Sequence, residues 1–120
     1  MNNKEIGNNG ENKAADYLET QGYSIIERNW RTKTGEIDII AHKDETVVFV
    51  EVKSLPNGTM ELLQTELNRG KLQRIVKTSK RFLLNHRQYS NSYVRYDVIV
   101  IDMPGYPQAY HIENAFTELL

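Results

Sequence analysis

Apolar residues recur with one period at the start of the chain and another soon after. Ala14, Ala15 and Leu18 share one side of a helical wheel and Gly22 stands just beyond, which predicts a helix over Ile6–Thr20. Glu11 precedes those residues by three, four and seven positions, so it lies on their face, where an unpaired carboxylate is costly. Tyr23–Trp30 is apolar and β-branched enough for a strand, and Thr34 and Gly35 mark a turn. Glu36–Ala41 and Thr46–Lys53 are two further strand-like runs, joined by the polar link His42–Glu45 that suits a hairpin. Leu55–Gly58, with Pro56, Asn57 and Gly58, reads as a loop. Leu72, Ile75, Val76, Ser79, Phe82 and Leu83 then recur at helical spacing and predict an amphipathic helix over Arg69–His86. Asn85–Ser92 reads as a polar loop, Arg95–Asp102 as a strand, Pro104–Pro107 as a turn and Gln108–Ile112 as a last short strand before a brief C-terminal helix. No repeat or linker divides the chain, so residues 1–120 are expected to form a single domain. A hairpin of antiparallel strands with helices on either side is an α/β sandwich, not a doubly wound sheet.

Composition agrees with one folded core. The 120 residues suit one domain, and 39% hydrophobic with 26% charged residues exclude a disordered chain. With no cysteine there is neither a disulfide framework nor a thiolate metal site. Met1–Gly10 lacks the apolar core of a signal peptide and no apolar run is long enough to span a bilayer, so the cytoplasm is the expected location.

The formal net charge of -1 does not by itself announce a polyanionic partner, but its distribution does more. From Leu67 to Tyr96 there is no Asp or Glu, yet the stretch holds Arg69, Lys71, Arg74, Lys77, Lys80, Arg81, Arg87 and Arg95. On the helical wheel Arg74, Lys77 and Arg81 fall opposite the apolar stripe and Lys71 at its border. Carboxylates that hold a metal beside a basic helix that meets phosphate would produce this segregation. A solvated helix face explains any one of these cations equally well.

The candidate chemistry lies on the two central strand-like runs. Alternation places Glu36 and Asp38 on one face with Ile37 and Ile39 on the other; in the next run Phe49, Glu51 and Lys53 oppose Val48, Val50 and Val52, which form the buried face. A hairpin through 42–45 pairs residues whose numbers total about 88, bringing Asp38 and Glu51 near one another. Carboxylates and a lysine at the ends of apolar strands need each other or a cation. Mg²⁺ takes oxygen ligands, keeps several waters and needs only one or two protein carboxylates. Asp38 and Glu51 suit that role, the Val52 carbonyl offers another oxygen, and Glu11 would bind directly or through water. Lys53 would orient a water or offset charge developing on phosphorus.

Each residue also has a plainer reading. Asp38, Glu51 and Lys53 equally suit a structural ion pair at the sheet edge, and Glu11 alone suits a first-turn acid favoured by the helix dipole. Glu36 fits a turn acid, Lys71 a border residue burying its stem, and Asp97 either an acid behind the site or a partner for Arg95. His42, His86 and His111 form no metal spacing. Tyr89, Tyr93 and Tyr96 suit packing or loop anchoring better than base stacking. There is no phosphate-cradling glycine loop, GxSxG elbow or cysteine nucleophile, which narrows the enzyme options to metal-assisted hydrolysis.

Taken in order, Gly10-Glu11, Gly22-Tyr23, Arg28-Asn29, Gly35 to Ala41, Val48 to Lys53, Lys71, Arg95 to Val98 and Asn114-Ala115-Phe116 resemble the YraN-like family of small bacterial endonuclease-like proteins. That family is similar to archaeal Holliday-junction resolvases within the PD-(D/E)XK, restriction-endonuclease-like superfamily. The resemblance implies a helix, a three-stranded antiparallel meander, a second helix and one or two further strands. It places Glu11, Asp38, Glu51 and Lys53 on the catalytic positions, with Glu11, Asp38 and Glu51 toward Mg²⁺ or Mn²⁺. The expected partner is DNA, branched or single-stranded, met through the basic segment residues Arg69, Lys71, Arg74, Lys77, Lys80 and Arg81, and a homodimer is expected because resolvase-like relatives cut two strands symmetrically. One departure is visible: the family follows its Glu-Val-Lys with Ser or Thr and then Arg, whereas here Ser54 is followed by Leu55 and Pro56. A nucleic-acid-binding module that no longer cuts is the alternative, and an interaction domain a third option.

Overall fold

These periodicities assemble into a mixed α/β architecture on one five-stranded sheet. The computed structural model describes residues 3–119, with side chains from Asn9 onward. The order is α1 (Asn3–Thr20), β1 (Ser24–Thr32), β2 (Gly35–Lys43), β3 (Thr46–Ser54), α2 (Met60–Glu66), α3 (Arg69–Asn85), β4 (Tyr93–Ile101) and β5 (Ala109–Phe116). The strands lie side by side in chain order. β1, β2 and β3 form an antiparallel meander, β4 runs parallel to β3, and β5 returns antiparallel to β4. A parallel neighbour cannot be reached by a tight turn, which is why the β3–β4 connection carries both α2 and α3.

Helices cover both faces. Ala14 and Leu18 of α1 pack on Ile39, Ala41, Val48, Val50, Ile99 and Ile101; Ile75, Val76 and Phe82 of α3 pack with Ile37, Phe49, Val98 and Val100 on the other side. Central strands buried on both faces read as continuous apolar runs. Val47 and Phe49 are therefore as buried as Val48 and Val50, and the expectation of a single buried valine face is corrected. Phe82 meets Trp30 and Phe49 edge-on, and the buried Ser79 and Tyr96 hydroxyls satisfy each other at 2.7 Å.

Two other expectations change, and one unassigned stretch gains an element. Residues 59–68, to which the sequence assigned nothing, contain a helix: Thr59 caps α2 by accepting the Leu62 N–H, but α2 buries only Leu63 and so left no periodic signal. No C-terminal helix follows Ile112 among the described residues, because β5 continues to Phe116, whose ring stacks on Tyr96. Ile37 and Ile39 do not share a face, since Ile37 belongs to the α3 core and Ile39 to the α1 core. The neighbouring strand makes the same change, with Arg28 reaching Asn12 on α1 while Trp30 packs on Phe82 of α3. Between them Asn29 takes a left-handed conformation, φ 53°, which Asn tolerates better than most residues. The pleat therefore slips at Asn29 and Asp38.

Candidate metal centre

Asp38 sits where the β2–β3 ladder ends. Ile39 pairs with Val50, a register one residue from the predicted one, and no pairing continues beyond it toward Gly35. The Val52 N–H, which a continuing ladder would have given to a β2 carbonyl, instead donates to Asp38 Oδ2 at 2.8 Å. Glu51 points to the same place from β3 and is itself buried. Burial and hydrogen bonding with Glu51 push the Asp38 carboxyl up to about 9. Two carboxyls in this setting share a proton unless a cation replaces it.

Lysines close the other side. Lys71 Nζ of α3 lies 3.1 Å from Glu51 Oε2, and Lys53 Nζ lies 3.6 Å from Glu66 Oε2 at the end of α2. Burial and the neighbouring Lys71 lower the Lys53 pKa. For Lys71 burial works against the charge, but Lys53, Glu51 and Asp38 outweigh it and the pKa is raised. Gly35, Glu36, Asp38, Glu51, Lys71, Arg74 and Ile75 line a cleft of about 200 Å³.

Glu11 approaches from α1. Gly10 is buried against the end of β3, and a Cβ there would strike Ser54 Oγ and lie 3.1 Å from Ser54 Cβ, so its lack of a side chain lets α1 come this close. Glu11 is nearly enclosed, with its side chain 13% exposed, and Arg28 Nη2 is 3.5 Å from Oε1. That contact lacks hydrogen-bond geometry, leaving a buried oxygen without a hydrogen-bond partner. Burial raises the Glu11 pKa against the pull of Arg28 and Asn29. Its charge is also felt at Asp38.

The structure thus brings Asp38, Glu51, Lys53 and Lys71 together, with Glu11 at the margin. Among the described residues no three His, Cys, Asp or Glu side chains gather closely enough to hold a metal ion by themselves. A pair of carboxylates completed by water matches the hard-oxygen preference of Mg²⁺ or Mn²⁺. Of the predicted basic residues, Arg69, Arg74, Lys77 and Arg81 are exposed on α3, but Arg74 also lines the cleft instead of only facing solvent. Lys71 is turned inward to Glu51, and Lys80 pairs with Glu118 at 3.5 Å. Glu36 pairs with Arg31 at 3.3 Å as well as bordering the cleft. The sequence reading did not foresee Glu66, because α2 was not foreseen. It also left out Arg28 as the neighbour of Glu11, although the family resemblance had already singled out the Arg28-Asn29 pair.

A second polar cluster lies away from the cleft. Asp97 is fully buried and takes Arg95, His111 Nε2 at 2.7 Å and the Asn114 N–H at 2.9 Å, while Tyr17 Oη is 3.1 Å from His111 Nδ1. Arg95 is therefore a true partner of Asp97, one of two readings the sequence left open, and it also donates to Tyr23 Oη. Tyr93 is 72% exposed, whereas Tyr89 and Tyr96 pack against Phe82 and Phe49.

A model of the family described as uncharacterised protein family UPF0102 matches residues 10–101. A UPF0102 protein of Treponema pallidum is 43% identical over 122 residues, covering 98% of this chain and 97% of its own length. The chain belongs to the UPF0102 family. Another UPF0102 protein, from Treponema denticola, is 45% identical over 104 residues, covering 80% of this chain and 79% of its own. One from Geobacter metallireducens is 42% identical over 117, covering 97% and 95%. The UPF0102 match begins at Gly10, so Glu11, the two acidic strands and α3 fall inside it, while His111 and β5 fall outside.

Proposed function

We propose that this UPF0102 protein is a Mg²⁺- or Mn²⁺-dependent endonuclease that hydrolyses nucleic-acid phosphodiesters, on a restriction-endonuclease-like fold and with branched or single-stranded DNA as substrate. The observation that carries it is the pairing of half-buried Asp38 with buried Glu51 at the end of the β2–β3 ladder, flanked by Lys53 and Lys71. Such a pair is costly without a counter-charge and becomes favourable with one. The resemblance of the two central strands and Glu11 to PD-(D/E)XK nucleases supports the same reading. Asp38 and Glu51 would hold the cation, with Glu11 contributing through water. A bound divalent ion supplies an acidified water and offsets phosphoryl charge. With Glu51 given over to a cation, Lys71 would be released from its ion pair to meet the anionic substrate beside Lys53, and Arg74 lines the cleft to receive the adjoining phosphate. A homodimer would place two such clefts for cutting two strands.

The test is cleavage of labelled four-way, flapped and single-stranded DNA in Mg²⁺ and in Mn²⁺. Cation-dependent cuts that disappear in Asp38→Ala and Glu51→Ala are expected. No cleavage of any substrate with either metal sinks the proposal.

A second reading is a nucleic-acid-binding module without catalysis, favoured by the ion pairs that already occupy Glu51 and Lys53. It predicts salt-sensitive binding through Arg74, Lys77 and Arg81 that Asp38→Ala leaves unchanged.

A further inference from the structure

The β1–β2 turn is fastened to α3 by contacts that the acidic cleft does not require. The Thr32 and Thr34 hydroxyls lie 2.7 Å apart, the Thr34 and Thr78 hydroxyls 2.9 Å apart, and Thr78 Oγ1 donates to the Arg74 carbonyl at 2.8 Å. Gly35 comes so near that a Cβ there would lie 3.2 Å from Thr78 Oγ1. This chain of three hydroxyls carries Lys33, which stands between Thr32 and Thr34, on the same scaffold as Arg74. Arg81 follows Arg74 by two helical turns, about 10 Å along α3, with Lys77 between them.

These four cations differ from their neighbours. Lys33, Arg74, Lys77 and Arg81 are all exposed, and none forms an ion pair among the described residues. Lys71, Lys80 and Arg31 are instead paired with Glu51, Glu118 and Glu36. A cation that must first give up an acid gains little from a phosphate, whereas an unpaired one releases the phosphate's counterion as net binding free energy.

We propose that Lys33, Arg74, Lys77 and Arg81 form one phosphate-contacting strip across the β1–β2 turn and α3, seating a nucleic-acid backbone over the mouth of the acidic cleft. The strip rests on the nucleic-acid reading above and names the part of the surface that does the holding. Arg74 belongs to both strip and cleft, so a backbone lying along the strip passes beside Asp38 and Glu51. Lys80, although on the same helix, stands outside it.

Fluorescence anisotropy of the full chain with labelled single-stranded and duplex DNA, in chelator and across a salt series, tests this without catalysis. Lys33→Ala and Arg81→Ala are each expected to lower the slope of log Kd against log salt by about 0.7–0.9, while Lys80→Ala leaves it as in the wild type. Thr78→Val, which unhooks the turn without changing charge, is expected to weaken binding about fivefold. If that variant melts too early to titrate, Thr34→Val breaks the same link from the turn side. A Lys33→Ala slope equal to wild type, or a Lys80→Ala loss equal to that of Lys33→Ala, overturns the strip. Wild-type protein that binds neither oligonucleotide at low salt overturns the strip and the nucleic-acid reading together. A strip that behaves as expected in a protein that never cuts counts against the nuclease reading alone.

Discussion

Asp38 is half-buried and Asp97 fully buried, and their surroundings drive the two acids in opposite directions. Burial and Glu51 raise the Asp38 pKa from an ordinary 3.8 to about 9. Between those values the unfolded chain has released a proton that the folded chain keeps, so this group's contribution to stability falls as pH rises through that window. Asp38→Asn retains an acceptor for the Val52 N–H and removes the ionisable acid. At pH 7 without divalent cation it should stabilise the fold by about 1–3 kcal/mol in calorimetric melts, at the expense of cleavage. A melt below that of the wild type would mean the carboxylate is a stabilising ion-pair member. Asp97 has the reverse sign. Burial opposes its charge, but His111, Arg95 and the Asn114 amide more than compensate and its pKa is lowered. Its stabilisation is complete above the ordinary carboxylate range and fades as pH falls through the depressed folded value. Asp97→Ala leaves Arg95 and His111 without their shared acid and should cost about 3–5 kcal/mol in urea unfolding near neutral pH. A loss under 1 kcal/mol would show that the cluster is not a structural anchor.

At the scale of elements, the approach of α1 to β3 decides whether Glu11 belongs to the site. Gly10 makes that approach possible, since any Cβ there meets Ser54. Gly10→Ala should cost about 1–3 kcal/mol by overpacking, despite the better helix propensity of alanine. Because the shift moves Glu11 away, it should also reduce cleavage more than the melt alone explains; equal stability to wild type would show that α1 yields freely. Much of this was legible in the chain. The three strands of the meander and α3 declared themselves through period, and Asp38 and Glu51 through their place in apolar runs. Glu11 followed from its helical spacing to Ala14, Ala15 and Leu18. What stayed hidden had no local pattern. α2 buries a single leucine, so neither Glu66 nor its hold on Lys53 was visible. The pleat slip at Asp38 needs the left-handed Asn29 on a neighbouring strand, and His111 finds Tyr17 only across the folded sheet. Strict alternation consequently put Ile37 on the face of Ile39, and histidine spacing along the sequence left His111 without a role.

For the molecule as a whole, the two hydrophobic cores and the acidic pair are mechanically linked. Asp38 and Glu51 lie on the sheet that separates the α1 core from the α3 core, Lys71 ties Glu51 to α3, and Glu11 comes from the opposite layer. No helix among the described residues is long and apolar enough to cross a membrane. A cation bound to the folded form alone stabilises it by mass action, about 2.7 kcal/mol at one hundred times its Kd. Because Asp38 keeps its proton up to about 9, binding must also expel a proton. Millimolar Mn²⁺ or Mg²⁺ should therefore raise the melting temperature by several degrees, more at pH 8 than at pH 6. Titration calorimetry in buffers of different ionisation enthalpy should reveal the released proton. Asp38→Asn should abolish most of the shift and Glu11→Gln reduce it, while Lys80→Ala, distant from the pair, leaves it intact. A melting temperature indifferent to both metals at pH 8 would mean that Asp38 and Glu51 hold a proton between them rather than a cation, and that Lys71 serves as the permanent counter-charge of a structural cluster.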